Sequence, residues 1–216
     1  MRVLKKKVIK RLNFVGNLLI IFSFLGLFLT FGPVLKEEVD YRINQTSDII
    51  KQAIFKNNQP PNFQLEPPNR DFSIVIPKIK AVSPVFKDTD PFNEKEFSKV
   101  LRHGVAHAKG TALPGQVGNT YIFAHSTDAF YNVGRYNAVF YLIGKLQKGD
   151  EIYIYYEGEK YFYEVCEKKV VEAESVGYLR PLKEDVNTLT LQTCYPPGTT
   201  IKRLVVLADL VSSTKN

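Results

Sequence analysis

Apolar and polar positions divide the chain into three regimes. Leu12 to Leu35 carries no charged residue. At about 1.5 Å per residue a helix over these positions is roughly 36 Å long, enough to cross a bilayer core of about 30 Å. The pattern therefore predicts a transmembrane helix over 12–35. Residues 36–57 hold only sparse apolar positions, Tyr41, Ile49, Ile50 and Ile54, and read as a juxtamembrane stalk with some helical character. Gln59 to Asn69 contains four prolines in eleven residues, which favours an extended spacer. Stalk and Pro-rich linker together occupy 36–71. From Phe72 onward short apolar runs separated by turns predict strands at 72–76, 80–86, 119–124, 151–156, 160–168 and 186–193, with a longer one at 201–210. Asp90-Pro91-Phe92-Asn93 opens a helix over 94–101. Many short strands predict an all-β barrel or sandwich over 72–211, followed by a tail at 212–216.

Within that domain Thr188 to Cys194 alternates. Leu189 and Leu191 fall on one face, and Thr188, Thr190, Gln192 and Cys194 on the other, so the thiol points away from the leucines. Tyr195-Pro196-Pro197-Gly198 ends the strand, because proline supplies no ladder donor and Pro-Gly marks a turn. Asn119 to His125 is another apolar run, and it ends on a histidine.

Length and composition fit one domain with appendages: 216 residues, 44% of them apolar, can build a core and exclude general disorder. Arg2, Lys5, Lys6, Lys7, Lys10 and Arg11 supply +6 before any acid, leaving +1 of the total +7 for the rest. The basic balance thus describes a tail, 1–11, and not a nucleic-acid-binding face. Cations before the apolar run and near-balanced charge after it predict a cytoplasmic N-terminus, a single membrane pass and a body outside the cell. A cleaved signal peptide fits less well, because the apolar run is long for one and Thr30 to Val34 offers no small-x-small site. Two cysteines in an exported chain raise the question of a disulfide. Cys166 lies inside a strand-like run, where a small buried hydrophobe is the ordinary role, and a nucleophilic thiol must stay unpaired.

A thiolate is the reactive form of cysteine, and a neighbouring His or Arg favours it. Cys194 and His125 share a strand-end location. Arg203, amid Ile201, Leu204, Val205 and Val206, must face solvent, a groove or a partner. His107 and His103, in the connection between the helix and the next strand, are weaker candidates for a base. Glu172 and Glu174 lack the spaced oxygen ligands of a calcium loop. Neither a metal nor another cofactor is expected.

These motifs resemble the sortases, membrane-anchored cysteine transpeptidases of Gram-positive-type cell surfaces. The residues that carry the resemblance are Phe72 to Ile79, Gly104-Val105-Ala106-His107, Gly110 to Gly115, the strand ending at His125, and Leu191-Gln192-Thr193-Cys194 followed by Arg203. The resemblance implies a closed β-barrel of about eight strands with short helices behind one N-terminal transmembrane helix. It further implies Cys194 as nucleophile, His125 as acid and base, Arg203 as the group that holds substrate and oxyanion, and Thr193 as a supporting hydroxyl. Thr193 alternates onto the face opposite Cys194, so a core-facing threonine is the competing reading.

The implied reaction cleaves a Leu-Pro-x-Thr-Gly-like sorting signal of a secreted protein after threonine. The acyl group then passes to an amine on peptidoglycan or on another protein subunit. His107 matches a family position that lines the domain without doing chemistry. One branch of the family uses an Asp-Pro-aromatic motif as an active-site lid, but here Asp90-Pro91-Phe92 follows the second strand and reads as a helix start. The loop from Val171 to Asp185 corresponds to the connection that shapes the peptide groove. The short segment after Leu210 argues for a type nearer class D or E than the pilin-polymerising class. The rivals are a cell-wall L,D-transpeptidase, whose Ser-His-Gly-Cys type element is absent before Cys194, and a tethered β-barrel that binds cell-wall polymer or peptide without catalysis.

Overall fold

The structure, a computed structural model, describes residues 13–26, 39, 65–126, 139–180 and 185–215. The basic tail 1–11, positions 27–35 of the apolar run and the stalk up to 64, apart from 39, lie outside the described residues. A helix, α1, covers 13–26 with Phe14, Leu19, Ile21 and Phe24 exposed. Among the described residues no helix is long and apolar enough to cross a membrane.

Among the described residues eight strands form a closed barrel: β1 (Phe72–Ile76), β2 (Ala81–Thr89), β3 (Val105–Ala108), β4 (Gly118–Phe123), β5 (Glu151–Tyr156), β6 (Glu159–Glu172), β7 (Asn187–Tyr195) and β8 (Lys202–Lys215). Their order around the barrel is β1-β2-β3-β4-β7-β8-β6-β5, and β5 pairs back onto β1. The alternation read from sequence places Ile74, Ile122, Ile154, Leu189, Leu191 and Val206 inside, all at 0% exposure. The barrel predicted on resemblance is therefore the one observed, and β1 and β5 have the predicted bounds.

Two pairings are parallel, β2 with β3 and β4 with β7. The second matters most for the site. Parallel neighbours end at the same rim, so the chain leaving β4 at Phe123 and the chain leaving β7 at Tyr195 emerge side by side. β7 is hydrogen-bonded on its other side to β8 in antiparallel register, with Cys194 opposite Arg203.

The strand β3 was not expected, and His107 lies within it and not in a connecting loop. All four of its residues are buried, so it carries no alternation to read. Gly104 just before it is forced by close approach, since a Cβ there would meet the Pro84 carbonyl oxygen at 2.5 Å. Strands β6 and β8 are longer than predicted and pair from Glu159 opposite Lys215 to Glu172 opposite Lys202. Residues 212–215 are thus part of a sheet and not a tail. Their polar side chains gave no strand pattern, but their backbones complete the ladder with the start of β6.

Candidate active site

Cys194, His125 and Arg203 line one groove of about 260 Å³ at the rim of the barrel. Each arrives there for a separate reason. Cys194 shares the outer face of β7 with Gln192, opposite in parity to the buried Leu189 and Leu191. Arg203 is its direct cross-strand partner on β8, and residues opposite each other in an antiparallel pair project to the same face.

His125 follows β4, and hydrogen bonds on both sides of it bolt that segment onto β7. The Ala124 N–H donates to the Gln192 carbonyl at 3.1 Å. Thr193 Oγ1 donates to the Ala124 carbonyl at 3.0 Å. One residue further, the Gly198 N–H of the β7–β8 turn donates to Ser126 Oγ at 3.3 Å. Behind the imidazole stands Phe97, whose ring lies 6.4 Å from it and 6.0 Å from that of Phe123 in edge-on arrangements. Phe97 comes from helix α2 (Glu94–Val100), whose N-cap is Asn93: its side chain accepts from the Glu96 N–H at 3.2 Å.

Thr193 therefore does not support the reacting centre through its hydroxyl. It is 2% exposed, faces the barrel interior and is committed to Ala124, so the core-facing alternative is the one adopted. The period of the strand is the physical reason, since no bend carries residue 193 to the face of 194. Its effect on the site is to hold the strand that presents His125.

Burial pushes the Cys194 thiol up, and the Arg203 guanidinium pulls it part of the way back. The thiol is thus held beside a positive charge that opposes the effect of its burial. Arg203 Nη1 donates to the carbonyls of Thr200 at 2.9 Å and Lys202 at 3.1 Å, which fixes the plane of the guanidinium. Lys202, the preceding residue, pairs with Glu172 at 3.0 Å. Cys166 sits at a bulge of β6, its Sγ donating to the Leu207 carbonyl at 3.4 Å.

His107 is fully buried. Its Nδ1 accepts from the Asp88 N–H at 3.3 Å, and its Nε2 lies 3.1 Å from the Ala112 carbonyl oxygen. Both ring nitrogens are occupied in cross-linking β2 to the connection before β4, and burial holds the ring below the ordinary histidine range. His103 is on the surface beyond α2, with Nδ1 3.0 Å from the Lys99 carbonyl oxygen. Neither lines the groove.

The groove also contains residues that sequence reasoning assigned elsewhere. Pro91 and Phe92 line it although they precede a helix. Asp90 Oδ1 accepts from the Phe92 N–H at 2.9 Å, and this Asx turn projects a phenylalanine that is 74% exposed at the groove mouth. The helix start and the placement of the Asp-Pro-aromatic motif beside the site are both present. Val176 and Leu179, in the 3-10 turn Val176–Leu179 of the β6–β7 connection, form another wall, as expected of that loop. Positions 181–184 of the same loop lie outside the described residues. Tyr121 lines the groove from β4 and is 3% exposed. It went unremarked in the sequence, although its parity with His125 was a legible signal.

A nucleophilic thiol, an imidazole and a fixed cation around an apolar-walled groove can attack a carbonyl, move the proton and steady the oxyanion. The chain is similar to several known proteins. Sortase D of Bacillus subtilis is 27% identical over 140 residues, covering 63% of this chain and 62% of that one. The chain thus spans less than two thirds of that relative's length. Among solved structures, the sortase C-1 of Actinomyces oris matches with a TM-score of 0.56 and 31% identity, covering 65% of this chain and 71% of the other. A Clostridium perfringens Sortase D5 transpeptidase matches with a TM-score of 0.54 and 29% identity, covering 69% and 83%. Residues 74–211, the whole barrel but for its first and last few positions, match the profile of the Sortase domain, and with that match the chain belongs to the sortase family.

Proposed function

We propose that this chain is a cysteine transpeptidase that joins secreted proteins to an amine at the cell surface. The observation that carries the reading is the convergence of Cys194, His125 and Arg203 on one groove, from three strands at one rim. In the first stage the Cys194 thiol gives its proton to His125. Sγ then attacks the backbone carbonyl of the threonine in a Leu-Pro-x-Thr-Gly-like signal. The electron pair moves onto the carbonyl oxygen, where the free guanidinium N–H groups of Arg203 meet the charge. Collapse of that adduct breaks the Thr-Gly bond, His125 protonates the departing amine, and a thioester remains on Cys194.

In the second stage His125 takes a proton from the incoming amine. The amine attacks the thioester and restores the thiol. Peptidoglycan and another protein subunit both offer such an amine, and water in its place would make the site a slow protease.

We place the domain outside the cell, anchored by the N-terminal apolar segment with the basic tail inside. The exposed apolar side chains of α1 and the six cations before it support that arrangement. The similarity to class D proteins supports the same subclass here.

Incubation with a Leu-Pro-x-Thr-Gly peptide library and triglycine tests the activity. Wild-type protein is expected to yield peptides ending in threonine linked to triglycine, and Cys194→Ala and His125→Ala none. Products from Cys194→Ala equal to those of wild type would end the proposal. Carbonate extraction of membranes tests the anchor, with the chain expected to remain in the pellet.

A further inference from the structure

Most of the groove wall is apolar, but its floor carries one polar pair that the reaction above does not use. The Tyr121 hydroxyl donates to Gln192 Oε1. Gln192 sits two residues before Cys194 on the same outer face of β7, opposite Phe123 on β4 and Val205 on β8. Tyr121 is almost fully buried, and burial keeps its hydroxyl protonated, with Arg203 pulling part of the way back. Because the oxygen of the Gln192 carboxamide is occupied by tyrosine, its N–H pair is the end left for a ligand.

The spacing suits an extended peptide. Residues two apart on a strand are about 6.4–6.8 Å apart and share a face, and the carbonyls of an extended peptide repeat at the same interval in the same direction. A peptide whose attacked carbonyl lies at Cys194 therefore brings a second carbonyl over Gln192. The groove also runs that way: Asn119 Nδ2 donates to the Tyr178 carbonyl, two residues before Tyr121, which fixes the Val176–Leu179 wall on the Gln192 side of Cys194. The acyl half of the donor stays bound through both stages and belongs on this walled side.

We propose that Gln192, held in place by Tyr121, is a specificity-determining residue that donates an amide N–H to the backbone carbonyl two residues before the attacked one. The proposal rests on the transpeptidase reading and names the donor group its groove recognises. A donor without that carbonyl leaves a half-buried N–H unpaired, which lowers kcat/KM by roughly 10- to 100-fold.

The test uses the full chain in detergent, triglycine as acceptor and two donors. One is Leu-Pro-Ala-Thr-Gly. The other has the Pro-Ala amide replaced by an (E)-alkene, which keeps the shape and removes the proline carbonyl. With wild type the alkene is expected to cost about 10- to 100-fold, and with Gln192→Leu or Gln192→Glu less than about 2-fold, because the donor N–H is already gone. Tyr121→Phe is expected to raise KM several-fold with kcat retained, since the carboxamide is freed but not removed. An equal alkene penalty in wild type and both Gln192 variants overturns the proposal. No transfer from either donor by wild type, while Cys194 still reacts with iodoacetamide, overturns the underlying reading of the substrate instead.

Discussion

Cys194 is held between two opposed influences. Burial favours the neutral thiol, and Arg203 across the ladder favours the thiolate. The sign of each sets a pH dependence. Alkylation requires the thiolate, so the rate of iodoacetamide modification is expected to rise with pH through a midpoint above that of free cysteine. Arg203→Gln removes the stabilising charge and is expected to move the midpoint further up. A midpoint below that of free cysteine, or one that falls in Arg203→Gln, contradicts the balance described. The faces of Cys194 and Thr193 were both legible from the alternation of residues 188–194, because period two is a local property of a strand. The Tyr121 bond to Gln192 spans 71 positions of sequence, and no local pattern can announce such a contact.

Among the elements, the parallel pair β4–β7 does most to build the site. Thr193 is its fastening at the end that matters, and Thr193→Val keeps the shape while removing the bond to the Ala124 carbonyl. Loss of that bond leaves a buried carbonyl without its partner, at a cost of about 1–3 kcal/mol in urea denaturation. Transfer is expected to slow mainly in kcat, because the strand that presents His125 loosens while the groove walls are untouched. Unchanged stability and unchanged kcat would argue against this role. Sequence patterns found β1 as a β-branched apolar run of strand length, β5 by its alternation and α2 by its cap, all within a few residues. They missed β3, buried on both faces beneath α2, and stopped short on β6 and β8, where Lys169 to Glu172 and Ser212 to Lys215 enter strands only by pairing, the first with Val205 to Lys202 and the second with Phe162 to Glu159. That β4 and β7 run parallel was also invisible, since pairing direction is decided by partners nearly 70 residues apart.

For the molecule as a whole, a closed barrel makes every strand dependent on its neighbours, and His107 is one of the groups that tie β2 to the connection before β4. Burial lowers its proton affinity in the folded state, so the unfolded chain binds the proton more tightly. This contribution to stability is therefore fully present above the unfolded histidine value of about 6.5 and is lost as pH falls through the lower folded value. Denaturant midpoints are expected to drop between pH 7.5 and 5 in wild type, and to drop less in His107→Gln. An equal drop in both would remove His107 from the account.

The same closure fixes three strand ends at one rim, and the central claim is that this rim makes a thioester. Intact mass spectrometry of protein quenched in acid after mixing with a Leu-Pro-x-Thr-Gly peptide tests it directly. An adduct equal to the peptide acyl portion ending at threonine is expected. The adduct should map to Cys194, be released by hydroxylamine and be absent in Cys194→Ala. Cleavage of the peptide without any such adduct, or an adduct on Cys166 that persists in Cys194→Ala, would contradict it.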